Sequence, residues 1–165
     1  MKHIKNYISL VLFTVVGLIL FVASAFENDR VFEKNVYIAD GSWAKTLKIP
    51  FEFEVSDTTG VYDFHTNIRI SATYPYSNIF LLVYAYNPDG RLTKELVEFK
   101  LAEDNGKWLG HGLGDVYDYR MIDDKFKEVE LKKAGKYRFE FRQMMRTENL
   151  HGVKGIGLRV THKTL

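Results

Sequence analysis

The sequence predicts an all-β fold: a β-sandwich, jelly-roll-like, with about eight antiparallel strands after an N-terminal hydrophobic signal or anchor helix. Three observations carry this reading. Beyond residue 26, apolar and polar residues alternate with a period of two in segment after segment, the pattern of strands with one buried face. Clusters of Asn, Asp, Gly and Pro separate those segments at intervals of about 10 to 15 residues. No stretch after the first 25 residues keeps an apolar helical period long enough for a helix.

The first element stands apart. Lys2 and Lys5 precede an apolar run over 8–25, interrupted by little more than Ser9, Thr14 and Ser24. Ala23-Ser24-Ala25 then gives the small-x-small pattern of an export cleavage site, so the candidate cleavage lies between Ala25 and Phe26. The run is also at the lower limit of length for crossing a bilayer, and it can remain uncleaved as an anchor with its lysines on the cytoplasmic side. The expected organisation is 1–25 as signal peptide or membrane anchor and 26–165 as one exported β-sandwich domain.

Strand after strand follows. Residues 30–38 alternate weakly, before a turn at Asp40-Gly41-Ser42. Over 47–55, Leu47, Ile49, Phe51, Phe53 and Val55 share one face, with Lys48, Glu52 and Glu54 on the other. Pro50 has no N–H to donate, which predicts an edge strand there. Tyr62, Phe64, Thr66, Ile68 and Ile70 form the next inward row, with His65 and Arg69 opposite. Residues 79–86 are apolar on both faces, as in a central strand. Asn87-Pro88-Asp89-Gly90 is a turn, because Pro presets φ and Gly accepts the reversed value, and 91–101 completes a hairpin. A weak strand is expected at 126–131. Tyr137, Phe139 and Phe141 alternate with Arg138, Glu140 and Arg142, and a last strand over 153–161 turns Ile156, Leu158 and Val160 inward.

Residues 104–119, between two of these segments, hold Gly106, Gly110, Gly112 and Gly114 beside Trp108. Glycine at alternate positions leaves no row of side chains to pack, which predicts an ordered loop with Trp108 buried and Asp115 accepting backbone hydrogen bonds. The loop has three readings: turn chemistry that lets the chain pack closely; a surface for a partner or a sugar; or a cation site built from Asp104, Asn105, Asp115 and Asp118. For the second, Trp108, His111, Asp115 and Tyr117 are the candidate interaction residues. The third lacks the Asp-x-Asp-x-Asp-Gly spacing and distal Glu of a calcium loop.

Composition narrows the function. The 165 residues contain no cysteine, which excludes a disulfide framework, a zinc-thiolate site and a thiol nucleophile. Lys2 and Lys5 lie in the leader and no acid does, so the rest carries 21 basic and 21 acidic residues. Such a domain has no bulk field to attract nucleic acid, although Arg138, Arg142 and Arg146 can form a local patch. No nucleophile elbow, phosphate-binding loop or His-Glu-x-x-His occurs, and the five histidines, His3, His65, His111, His151 and His162, are scattered. No catalytic residue, metal site or cofactor is expected.

Several motifs in one order carry a resemblance. Gly-Lys-Trp-Leu-Gly-x-Gly-x-Gly-Asp over 106–115, Asn67-Ile68-Arg69 followed by Tyr74-Pro75-Tyr76-Ser77-Asn78, Pro88-Asp89-Gly90, Gly135-Lys136-Tyr137 through Gln143, Met145, Arg146 and Leu150, and Gly157-Leu158-Arg159 together resemble the GldH family of gliding-motility lipoproteins. The similarity runs from about residue 30 to 160. It implies an exported, membrane-associated, non-enzymatic β protein of the cell envelope. Its partners would be other envelope proteins of the motility machinery linked to type IX secretion. The chain departs from the family where a lipobox cysteine is expected: that position is about Phe26. The alternative function on the same sandwich is a carbohydrate-binding or glycan-active protein. An exposed row of Trp43, Trp108 and tyrosines would favour sugar, and a flat apolar patch rimmed by charge would favour protein.

Overall fold

A computed structural model describes residues 29–164. The leader and the candidate cleavage at Ala25 and Phe26 lie outside the described residues. Among the described residues, no helix is long and apolar enough to cross a membrane.

Two antiparallel sheets carry the fold. Sheet I has the order β1 (Arg30–Tyr37), β11 (Val153–Lys163), β4 (Val61–Ser71), β8 (Val116–Met121), β7 (His111–Leu113). Sheet II has the order β3 (Ile49–Val55), β9 (Gly135–Gln143), β5 (Asn78–Tyr86), β6 (Leu92–Lys100). A separate short pair joins β2 (Ser42–Ala44) to β10 (Asn149–His151). With the three-residue strands set aside, eight strands divide as β1-β11-β4-β8 and β3-β9-β5-β6, which is jelly-roll order.

The alternation read from the sequence becomes the core between the sheets. Phe51, Phe53, Phe64, Ile68, Leu81, Val83, Tyr137, Phe139, Leu158 and Val160 are all buried there. Phe53 is the hub: its ring lies 5.6 to 6.0 Å from those of Phe32 and Phe64 in sheet I and of Tyr137 and Phe139 in sheet II. Phe64 stacks on Phe139 across the sandwich at 4.8 Å. Pro50 sits on the edge strand β3, where a missing donor costs no ladder bond. The doubly apolar β5 lies between β9 and β6, as expected of a central strand. Gly90, at φ +75°, closes the hairpin after it, and the Asn87 side-chain oxygen accepts from the Asp89 and Arg91 amides.

Three elements differ from expectation. The glycine stretch is a loop only to Gly110; it then forms the hairpin β7–β8, which turns at Gly114 (φ +72°). Tyr117, Tyr119 and Met121 supply the inward row of β8, so the end of the expected loop is strand as far as Met121. The expected strand at 126–131 is instead a 3-10 turn at Asp124–Phe126 followed by one bridge from Val129 to Tyr62. Its alternation is too short to compete with the Asp123 side chain, which accepts from the Lys125 amide and caps the turn.

Candidate functional site

The loop singled out by the sequence divides its residues between two faces. Trp108 is half-buried: its ring packs 5.7 Å from Tyr117 and 6.4 Å from Tyr74, at the margin of the core. Ala102 pairs with Trp108, the Leu109 amide donates to Leu101 O (2.9 Å), and the Tyr119 hydroxyl donates to the same carbonyl (2.8 Å). Asp115 is exposed at the hairpin turn. Its backbone carbonyl accepts from the Ala72 amide (2.8 Å), where its carboxylate was expected to act. Only His111 faces the outer side of sheet I. Trp108, Asp115 and Tyr117 therefore do not converge with it on one surface.

That outer side is concave. A cavity of about 350 Å³ lies over β11 and is walled by β1, β4, β8 and β7. Gly155 lies at its floor, and Gly155 and Gly157 align with Tyr37 and Asn35 on β1 and with Arg69 and Asn67 on β4. Asn35 reaches over Gly157 and accepts from Asn67 Nδ2 at 3.1 Å. Glu33 anchors the wall. Its Oε1 accepts from Arg120 Nη2 (2.8 Å) and Asn67 Nδ2 (3.2 Å), and its Oε2 from Arg159 Nη1 (3.1 Å). Burial pushes the Glu33 carboxyl up, but Arg120, Asn67 and Arg159 outweigh it and hold the group below its ordinary range. Arg69 holds Asp118 with two bonds, of 2.6 and 2.8 Å. Both carboxylates of the cavity are thus held by guanidinium partners, which fixes the shape of its wall.

The outer face of sheet II has another character. Leu82, Tyr84 and Tyr86 of β5 lie opposite Leu96, Lys94 and Leu92 of β6, with Arg142, Glu140 and Arg138 of β9 on their other side. Leu92 and Leu96 are 40% and 51% exposed. Cations crowd the tyrosines: Lys48 Nζ stands 3.9 Å from the Tyr84 ring centre, Lys94 5.7 Å and Arg142 5.9 Å, with Arg138 5.9 Å from Tyr86. Glu140 pairs with two of them, and Glu52 of β3 lies opposite Arg138 in register. Glu140, whose side chain is 8% exposed, accepts from Lys48 (3.2 Å) and Arg138 (2.5 Å). Arg142 and Lys94 have no carboxylate partner among the described residues, and Arg142 Nε is buried without an acceptor. The basic spacing of Arg138 and Arg142 seen in the sequence is thus real, and Lys48, just before β3, and Lys94 of β6 join it.

The remaining candidates do not assemble chemistry. Trp43, weighed as part of an exposed aromatic row, is 0% exposed and donates to Leu47 O at 3.0 Å. With Trp43 buried and Trp108 half-buried, no such row exists. No group of three His, Cys, Asp or Glu side chains able to hold a metal occurs among the described residues. Tyr37, 74% exposed beside the sheet I cavity, was missed by the sequence reading. Its signal was available: Gly155 and Gly157 occupy alternate positions inside a strand, which marks close approach of another group.

The model of the family described as GldH lipoprotein matches residues 30–160, nearly all of the described chain. The chain belongs to the GldH lipoprotein family. The gliding motility lipoprotein GldH homolog of Christiangramia forsetii is 32% identical over 145 residues, covering 83% of this chain and 86% of that protein. The gliding motility lipoprotein GldH of Flavobacterium johnsoniae is 30% identical over 145 residues, covering 83% and 87%. Among solved structures, this GldH-family sandwich is similar to a carbohydrate-binding module specific for non-crystalline cellulose, with TM-score 0.45, 11% identity and coverage of 81% and 74%. It is also similar to a family 35 carbohydrate-binding module from an environmental isolate, with TM-score 0.37, 10% identity and coverage of 85% and 95%. Likeness at that level decides nothing about a ligand.

Proposed function

We propose that this GldH-family protein is a non-enzymatic component of the cell envelope. In this reading it is exported to the periplasm and associated with a membrane through its N-terminal segment. It serves the gliding-motility machinery linked to type IX secretion by binding other envelope proteins. Family membership supports the motility and envelope assignment. These 165 residues contain no cysteine, so no lipid thioether can form on them, and the apolar run over 8–25 takes the anchoring role.

The outer face of sheet II carries the reading. Leucines and tyrosines form an apolar strip, and Lys48, Lys94, Arg138 and Arg142 rim it against Glu140, Glu52 and Glu98, with Lys94 and Arg142 outside any ion pair among the described residues. Apolar centre and charged rim are the anatomy of a protein interface. Those two unpaired cations commit the partner to a segment that presents acidic side chains around an apolar anchor.

A photo-crosslinker placed at Leu96 in living cells tests this. The expected adduct is an envelope protein, lost when Lys94→Glu and Leu96→Asp are combined, with cell spreading impaired and melting temperature unchanged. An adduct only with cytosolic proteins, or spreading that survives the double variant, would refute it.

A further inference from the structure

A second surface on this molecule has different chemistry, and it is independent of the sheet II reading. We propose that the cavity on the outer face of sheet I is a binding site for a neutral glycan, with Tyr37 as the platform for a pyranose ring.

Charge selects the ligand class. The cavity lining holds two guanidinium groups, Arg69 and Arg120, and two carboxylates, Asp118 and Glu33. Each guanidinium is already hydrogen-bonded to one of those carboxylates. No net positive hole remains for a phosphate or an acidic peptide, and no free carboxylate remains for a cation. What the cavity offers is fixed, planar hydrogen-bonding groups. Asn67 donates to both Glu33 and Asn35 and accepts from Arg120, so its plane is set by three neighbours. Among the described residues, Asn35 Nδ2 and Arg120 Nη1 have no protein acceptor. Such donors suit hydroxyl oxygens.

Shape points the same way. A sugar ring has polar edges and apolar C–H faces, so it needs an aromatic plane beside a polar wall. Tyr37 supplies the plane. Among the described residues it is the most exposed large hydrophobic, at 74%, and it stands at the end of β1 with the Arg69 guanidinium 6.0 Å from its ring. Gly155 lies between the two in the row and adds no side chain there. The cavity, about 350 Å³, is at the small end of the range for small-molecule sites, roughly 300 to 1,000 Å³. A peptide strand would instead seek a hydrogen-bonding sheet edge, whereas this surface is the middle of a sheet, where the backbone groups are already paired.

Calorimetric titration of the full-length chain in detergent provides the test. The probes are neutral hexaoses of glucose, mannose, xylose and N-acetylglucosamine, with hexagalacturonate and inorganic phosphate as charged comparisons. At least one neutral hexaose should bind. Tyr37→Ala should weaken it tenfold or more without lowering the melting temperature, because the ring is in solvent, and Tyr37→Trp should retain it. Lys94→Glu with Leu96→Asp should leave it unchanged, which separates this site from the protein-binding face. Failure of every neutral hexaose, binding of the charged probes alone, or neutral binding indifferent to Tyr37→Ala would each overturn the proposal.

Discussion

Asn67 donates a 3.1 Å hydrogen bond to Asn35 across the top of Gly157, joining two strands that are not neighbours in the sheet. The bond exists because the intervening strand has no side chain at that point. A Cβ on Gly157 would lie 2.0 Å from Asn35 Oδ1 and 2.8 Å from the backbone oxygen of Lys34.

Gly157→Ala should therefore destabilise the protein by about 1 to 3 kcal/mol, the usual cost of forcing an atom into a filled space. The Asn35 side chain can swing away, but Lys34 O can move only with β1. Adding Asn35→Ala should thus restore part of the loss and not all of it. Urea unfolding of the single and double variants checks this. A complete rescue would place the clash on the side chain alone.

Phe139→Ala should cost about 3 to 5 kcal/mol, as for other large-to-small changes in a packed core. Phe139 touches both sheets through Phe53 and Phe64 and meets Phe126 from the 3-10 turn at 6.0 Å. Its loss opens the seam between the sheets, which neither sheet can close alone. Denaturant unfolding with an unchanged slope and a lower midpoint is the expected result.

Much of this architecture was legible in the sequence for one reason: a period-two pattern reports a half-buried strand wherever it lasts five residues or so. It placed Phe51 and Phe53 inward and Pro50 on an edge, and it found the central strand β5. It failed where the pattern was too short or interrupted. The pair β2–β10 has three residues a side, and β8 follows directly on a glycine run that reads as pure loop. The candidate surfaces were harder still. Glu33 and Arg120 meet only through the order of strands, and Lys48, ahead of β3, and Lys94 of β6 reach Tyr84 from different parts of the chain. Composition alone holds none of that. The sequence grouped His111 with Trp108 as candidate contacts, but the hairpin turns the two to different faces.

Acid should destabilise the protein in two stages. Burial, then the charges of Arg120 and Arg159 against the opposing pull of Asp63, hold the His65 imidazole below its ordinary value of 6.5. Glu33, raised by burial but lowered more by Arg120, Asn67 and Arg159, lies below its ordinary 4.5. For a group depressed in the folded state, the stabilisation is fully present above the unfolded value and lost as pH falls through the folded one. The His65 contribution should therefore begin to fade just below pH 6.5, and that of Glu33 just below pH 4.5. His65→Gln should flatten the first step of a stability profile and Glu33→Gln the second. A profile with both steps intact in these variants would assign the acid sensitivity to other groups.

Trp108→Ala should lower stability by about 1 to 3 kcal/mol, less than a core aromatic costs, because Trp108 is half in solvent already. The argument rests on what holds the glycine stretch in place. Ordering backbone costs about 1 to 2 kcal/mol per residue, and the loop offsets that with the Trp108 ring against Tyr74 and Tyr117 and with two bonds onto Leu101 O. Removing the ring leaves the two bonds, so the loop should loosen without the sandwich opening: amide exchange should rise at 104–110 and stay slow in β4 and β9. Asp115→Ala makes the contrasting case. Its anchoring atom is a backbone carbonyl, which alanine keeps, so stability should change by less than about 0.5 kcal/mol. If Trp108→Ala instead leaves the melting temperature and loop exchange untouched while abolishing the envelope-protein crosslink, Trp108 is a contact for the partner and not an anchor for the loop.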